Sequence, residues 1–552
     1  MIFNAAFTRN ENPKHSNLPV RQPINQTPER YNMALTLQSI LYNAERKWRD
    51  DPYIFTREGS SFTAKTFGEF ASDVRALSAG LIKRGLRGRH IMIIGENSYE
   101  WMVADYAACA FVGVSASINK DIGRDGLVEA IKKTDIAAVF YSQNLPYDVK
   151  SLDVLPDMPF YSLQSDLYRV MEPEYQTAGK TGKGPNAVGA PLFDRPGNNG
   201  SDDTGADERA LCKIYFTSGT TGFPKAAMLS QKNIFSGVEG LSRRAPIDER
   251  DGGYLFLPLS HTYGGIYNFI YSLIYGTRLY LCSDTRFIAE ELQMTRPTIF
   301  CAVPNVLEKF LGAARASDNP NETPARRDGL SGNAAKALRN MFGGNLRYLF
   351  CSGGPWTPAN RAIFKKAGLN LLEAYALTET ASSFSLAYSG DAETESVGVV
   401  MENLDVVIDG PDANQRGEIL VRGDNVFLGY YNDTEATNAA IDADGYLHTG
   451  DIGRLDSSRR LYLTGRKNRL FKSSSGEFVS PDHIVRLLLS KQGIKTATII
   501  NNSGHVKAML GLSNLSADVA GLIDEVNAEL PAHMRIVEYT FFEAYNNAGQ
   551  KK

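Results

Sequence analysis

Cysteine is scarce and scattered. Cys109, Cys212, Cys282, Cys301 and Cys351 form no C-x-x-C pair, which removes a disulfide frame and a thiolate zinc site and predicts single buried thiols in a reducing compartment. Neither sign of charge is in excess: a net charge of −3 gives no electrostatic basis for nucleic-acid binding. The opening MIFNAAFTRNENPKH lacks the apolar core of a secretory signal. No uninterrupted apolar run is long enough to span a bilayer. The nearest, from Leu255, contains His261, Gly264, Gly265 and Arg278 and predicts a buried helix and strand. These absences predict a cytoplasmic location and leave a peripheral membrane contact open. Internal repeats are absent as well.

With 552 residues, the chain exceeds what one core supports, so several subdomains are expected. Hydrophobic residues at 43% and charged residues at 22% match a globular composition. The segment to about Met33 is polar. Thr66 and Glu69 have capping-box spacing. Phe67, Phe70, Val74, Leu77 and Leu81 then follow helical spacing until Gly85. HIMIIG (90–95) and IAAVFYS (136–142) read as buried strands around a helix from Glu100 to Cys109. The alternation predicts an α/β fold with parallel-type sheets flanked by helices. Residues 176–208, rich in Gly, Pro, Asn and Asp, read as a long connection, and 317–332 as a polar loop. TIFCAVP (298–304) and RYLFCSGG (347–354) resume the pattern. DVVIDG and GEILVRG begin a smaller β-rich part, and the last segment alternates TATIINN, KAMLGLS, a helix near 517–530 and MRIVEYTFF. That segment reads as a small α+β domain.

The stretch YFTSGTTGFPKAAMLS (215–230) concentrates chemistry. A strand runs into Thr217, Ser218, Gly219, Thr220, Thr221 and Gly222, then Pro224 and Lys225. Such a loop offers backbone N–H groups, hydroxyl donors and one ammonium to an anion; a plain surface turn is the competing reading. The spacing is G-x-x-G-x-x-K, not the G-x-x-x-x-G-K-[ST] of a P-loop.

At this stretch the sequence resembles the adenylate-forming enzymes, whose signature loop is similar to residues 217–225, with Ala226 where glycine is usual. Further motifs follow in family order: SGGPW (352–356), YALTET (375–380), GYLHTGD (445–451) and GRKNRLFKSSSGEFVSP (465–481). The resemblance implies an N-terminal AMP-binding domain over 1–465 and a small mobile C-terminal domain over 466–552. It implies that Thr217 to Lys225 hold the β- and γ-phosphates of ATP. Glu379 becomes the magnesium ligand, with Thr378 beside it at the α-phosphate. Tyr375 stacks on adenine, Gly353 and Gly354 leave room for the base, and Asp451 accepts from the ribose hydroxyls with Arg466 assisting. His261, in LPLSHTYGG, stands beside the carboxylate pocket, and Tyr263, Gly264, Gly265 and Tyr267 line an acyl channel whose width comes from the small residues. Asn468 takes the hinge position, and Lys472 and Gly476 lie on the loop that enters the site for the second half-reaction.

Departures accompany the match. Ala374 and Ala376 replace glycines of the adenine motif, and Gln231 replaces a common histidine. Near the C-terminus Gln550 stands where the family lysine aligns, so either Lys551 serves with a one-residue shift or adenylation is weakened. GENSYEW (95–101) and FKSSSGEFVSP (471–481) resemble the long-chain fatty acyl-CoA synthetase branch. The implied reaction uses ATP and Mg²⁺ to convert a medium- or long-chain fatty acid to acyl-AMP and passes the acyl group to coenzyme A. The alternatives are a fatty acyl-AMP ligase serving a carrier protein, although no DSL-type serine motif for an attached carrier is present, and a nucleotide-binding pseudoenzyme.

Overall fold

Threonine caps and apolar spacing set the first elements. In this computed structural model, residues 36–542 are described except 155–156, 173–206, 218–223, 319–330, 355, 357, 382, 389–394, 470, 475–477, 492 and 513–517. Thr66 accepts from the Glu69 N–H, and Glu69 accepts in return from the Thr66 N–H, opening the helix Phe67–Lys83. Gly85 follows its end in the left-handed region, at φ +79°. The helix predicted from Glu100 runs over Tyr99–Ala107 and continues as a π-helical turn, Ala108–Val112.

Two large sheets carry the expected parallel character. In one, the strands Phe160–Ser162, Ile136–Tyr141, His90–Ile94, Val114–Ile118 and Leu211–Thr217 are parallel. His90–Ile94 and Val114–Ile118, in its middle, are buried on both faces, as strands covered on both sides are. Lys225–Ser230 and Gly429–Tyr430 then add antiparallel at one edge. The other sheet has nine strands, with six consecutive parallel ones from Leu371–Ala376 to Pro52–Glu58. A four-stranded antiparallel sheet follows, in which DVVIDG and GEILVRG form the first hairpin (Asp405–Asp409, Gly417–Arg422) and Leu447–Leu455 pairs with Leu461–Arg466.

After Arg466 a separate apolar core forms, drawn from the helices Pro481–Ser490 and Val519–Glu529 and the strands Ile494–Asn502, His505–Leu512 and Ile536–Phe541. The α/β class is as the sequence predicts. Cys109, Cys212, Cys301 and Cys351 are buried thiols, whereas Cys282 is only partly buried. No helix among the described residues is long and apolar enough to cross a membrane. The apolar run from Leu255 resolves into the π-helix Tyr263–Ile270, the helix Tyr271–Tyr275 and the strand Arg278–Leu281.

One buried ion pair stiffens the strand that leads to the glycine-rich loop. Lys213 Nζ lies 2.5 and 2.6 Å from the two Asp105 oxygens, and neither side chain has any solvent contact. Ser115 and Ser117 donate to the same carboxylate at 2.5 and 3.1 Å. Burial is the largest influence and by itself pushes the lysine pKa down, but the Asp105 charge and hydrogen bond, together with Tyr215 and Cys109, outweigh it and the pKa lies above the ordinary value.

Candidate active site

The strand pairing Leu211–Thr217 with Lys225–Ser230 is a hairpin whose register sets Thr217 opposite Lys225. Residues 218–223, with Ser218, Gly219, Thr220, Thr221 and Gly222 among them, lie outside the described residues, as do Gly476, Gln550 and Lys551. For Lys472 the backbone forms the short strand Phe471–Lys472.

A cavity of about 800 Å³ opens beside this hairpin. Thr217, His261, Gly353, Thr378, Glu379 and Arg466 all line it, although they come from distant segments. Gly353 holds φ +85°, a conformation that glycine adopts without strain, where the strand Tyr348–Cys351 ends. Ala374 and Ala376, the replacements in the adenine motif, form part of the same wall. Gln231, the other departure, accepts the Leu37 N–H at 2.7 Å and so ties the first helix to this domain.

Glu379 sits on a 3₁₀ turn, Thr378–Thr380. Its Oε1 accepts from the Tyr430 hydroxyl at 2.8 Å, and its carbonyl accepts from the Phe427 N–H at 2.9 Å. The Lys225 ammonium lies 4.7 Å from the centroid of the Tyr430 ring. One tyrosine therefore touches both the lysine and the glutamate singled out by sequence. Burial first, and then the Glu379 charge, raise the phenol pKa of Tyr430 above the ordinary value. Nothing in FLGYYND marks this residue; its position depends on the pairing of Gly429–Tyr430 with the strand that begins at Lys225.

On the opposite side, Asp451 and Arg466 face each other across an antiparallel ladder, with Arg466 Nε 2.9 Å from Asp451 Oδ1. The Tyr375 hydroxyl donates to Asp451 Oδ2. The Tyr375 ring is buried against Phe384, with centroids 4.4 Å apart. Burial raises the Asp451 pKa, while the Tyr375 hydrogen bond and the Arg466 charge oppose the rise. Behind this group, buried Glu418 accepts from the Gly450 N–H at 3.1 Å and pairs with Lys467 at 2.7 Å. Like Tyr430, Glu418 carries no sequence signal of its own.

His261 borders the cavity, and its Nδ1 accepts from the Tyr263 N–H at 3.2 Å. This places the proton of the neutral ring on Nε2. His261 is exposed to the cavity, and the partial desolvation its walls impose lowers the imidazole pKa from the ordinary value. Tyr263 and Tyr267 also line the cavity. The glycines between them do not widen a channel, contrary to the sequence expectation. A Cβ on Gly264 would meet the Pro258 carbonyl oxygen at 2.2 Å, and one on Gly265 would meet the Tyr215 hydroxyl at 2.4 Å. Both are buried, and their missing side chains are replaced by close packing of the protein itself.

Comparisons with known proteins bear on the family and the fold. A family model described as AMP-binding enzyme matches residues 42–431. The peroxisomal long chain acyl-CoA synthetase 7 of Arabidopsis thaliana is 27% identical over 488 residues, covering 81% of this chain and 69% of that protein. The human long-chain-fatty-acid–CoA ligase 6 is 26% identical over 535 residues, covering 88% of this chain and 73% of its own. Among solved structures, ATP-bound MatB from Rhodopseudomonas palustris aligns with a TM-score of 0.73 at 20% identity, over 93% of this chain and 96% of that one. The o-succinylbenzoate coenzyme A synthetase MenE of Bacillus subtilis, in complex with AMP, aligns with a TM-score of 0.71 at 19% identity, over 92% and 95%. With a match spanning most of its length and the fold to accompany it, this chain belongs to the AMP-binding enzyme family.

Proposed function

We propose that this protein uses ATP to activate a medium- or long-chain fatty acid as acyl-AMP and then transfers the acyl group to coenzyme A, releasing pyrophosphate and AMP. The observation that carries the reading is the convergence of Thr217, Thr378, Glu379, His261 and Arg466 on one cavity, with Lys225 and Asp451 packed at its edge. The names of the relatives supply the substrate class.

The donor chemistry fits a magnesium ion. Glu379 offers carboxylate oxygen and Thr378 a hydroxyl, the hard ligands Mg²⁺ prefers. Among the described residues no cluster of three or more His, Cys, Asp or Glu could cage a metal, as suits an ion that keeps its waters and binds substrate phosphates. When bound, such an ion neutralises phosphate charge. The chain does the rest. Lys225, with the donors from Thr217 onward, steadies the β- and γ-phosphates, and Thr378 serves the α-phosphate. Gly353 and Gly354 leave space for the base. Tyr375 closes the adenine side and holds Asp451, which accepts from the ribose hydroxyls with Arg466 beside it. His261 presents Nε2–H to the acid. These placements lower the cost of bringing a carboxylate to an anionic phosphate, the main electrostatic barrier of the first step.

The second step draws on the C-terminal segment. In this reading residues 1–465 form the adenylation domain and 466–552 a mobile domain that turns about Asn468, bringing Lys472 to the cavity for thioester formation and Lys551 for adenylation. A reducing, cytoplasmic setting is supported by five free thiols among the described residues, and fatty substrates would bring the enzyme to membrane surfaces peripherally.

The test is pyrophosphate release by the purified protein with ATP, Mg²⁺ and a panel of fatty acids, with and without coenzyme A. Acyl-CoA and AMP formation supports the proposal. Adenylate that turns over only with a carrier protein assigns the ligase alternative, and ATP binding without pyrophosphate release assigns a pseudoenzyme.

A further inference from the structure

Lys225 and Glu379 lie far apart in sequence, yet both rest on one side chain. The Tyr430 hydroxyl donates to Glu379 Oε1 at 2.8 Å, and the Lys225 ammonium stands 4.7 Å from the centre of its ring. The ring is itself fixed. Tyr430 pairs with Ala227 on the strand that begins at Lys225, its N–H donates to Thr437 Oγ1 at 2.9 Å, and Phe427 packs edge-on at 4.9 Å between centroids. Phe427 also donates its N–H to the Glu379 carbonyl at 2.9 Å, so the segment before Tyr430 clamps the turn that carries Glu379. At 8% exposure Tyr430 has little freedom to choose another geometry.

We propose that Tyr430 is a positioning residue that aims the Glu379 carboxylate at the divalent cation with its hydroxyl and the Lys225 ammonium at the triphosphate with its ring face, so that metal and phosphate grips are set together. The proposal rests on the nucleotide reading above. Its chemistry is specific. A hydroxyl donating to one carboxylate oxygen fixes the plane of the group and leaves lone pairs for a metal. An aromatic face attracts an ammonium ion without neutralising it, so the full charge stays available to a phosphate.

The two halves of the side chain separate in a binding experiment. Affinity for ATP is measured by calorimetry on the full chain with excess Mg²⁺ and again with EDTA, for the wild type, Tyr430→Phe, Tyr430→Leu, Glu379→Ala and the Tyr430→Phe/Glu379→Ala double variant. Tyr430→Phe keeps the ring and is expected to lose about ten-fold in the magnesium arm, with the EDTA arm within about two-fold of wild type. Tyr430→Leu weakens both arms. Adding Tyr430→Phe to Glu379→Ala costs little more, because the hydroxyl then has no carboxylate to orient. A Tyr430→Phe protein with wild-type magnesium dependence, or a full additional loss in the double variant, overturns the positioning role while leaving the nucleotide site standing. Wild-type protein that binds ATP equally with and without Mg²⁺, or not at all, overturns the functional reading and this proposal with it. Wild-type affinity of Tyr430→Leu in the EDTA arm overturns the ring's part; should that variant fail to fold, Tyr430→Phe still decides the hydroxyl's part and Tyr430→Met takes the place of leucine for the ring's.

Discussion

Tyr375 donates its hydroxyl to Asp451 from a ring that is itself buried, and Arg466 occupies the other carboxylate oxygen at 2.9 Å. The aspartate is thus held from two sides before any ligand arrives. A carboxylate so oriented meets a diol with little entropy left to lose.

Removing only that hydroxyl should raise the KM for ATP more than it lowers kcat. For Tyr375→Phe the expected change is about five-fold, the worth of one hydrogen bond of roughly 1 kcal/mol. Asp451→Ala should cost more, because it also strands Arg466. Steady-state pyrophosphate release against ATP concentration measures both. An unchanged KM in Tyr375→Phe contradicts the idea that the tyrosine holds Asp451 for the nucleotide.

The two adjacent glycines give a second test. Gly264→Ala places a methyl group against the Pro258 carbonyl, and Gly265→Ala places one against the Tyr215 hydroxyl. Each should destabilise by about 1–3 kcal/mol, the usual range for overpacking a close-packed interior, without changing the ranking of acyl chain lengths. Urea melts and a chain-length panel check the pair. A stable variant with a shortened acyl preference would restore the channel-wall reading.

Lys213 and Asp105 should be mutually dependent. Asp105→Leu or Lys213→Met alone leaves a fully buried partner uncompensated and should cost about 3–5 kcal/mol. The double apolar replacement, Asp105→Leu with Lys213→Met, should recover most of it. Chemical denaturation of the four proteins gives the coupling directly, and additive losses would show that the pair does not act as a unit.

Glu373 should make stability depend on pH. Burial raises its pKa from 4.5 to about 7, against the pull of Arg361, whose Nε lies 3.3 Å from the carboxylate. The folded state therefore holds a proton that the unfolded state releases, so the stabilising contribution is present below 4.5 and is lost as pH rises through about 7. The slope of the urea midpoint between these values should be less negative in Glu373→Gln than in the wild type. Equal slopes would mean that Glu373 is ionised throughout.

Local chemistry was readable without a structure. The capping box at Thr66 and Glu69 depends only on residues three apart, and the strands around Ile93 and Val139 declare themselves by apolar continuity. The motif at 217–225 also places Thr217 and Lys225, because a short hairpin brings its own ends together. Asp451 and Arg466 were legible only through the family motifs, and the structure sets them opposite each other on neighbouring antiparallel strands.

What the chain could not announce is contact between distant segments. Tyr430 looks like any core aromatic until its strand pairs beside Lys225 and the 3₁₀ turn at Glu379 folds against it. Gly264 and Gly265 show that something needs their smallness but not that the neighbour is Pro258 and Tyr215 rather than a substrate. By itself the sequence determined secondary structure and class, since backbone propensity and periodicity act over a few residues, and its family resemblance named the polar groups expected at the site. Tertiary structure alone decided which of those groups share a partner, because such partnership is fixed by strand order and packing across hundreds of residues.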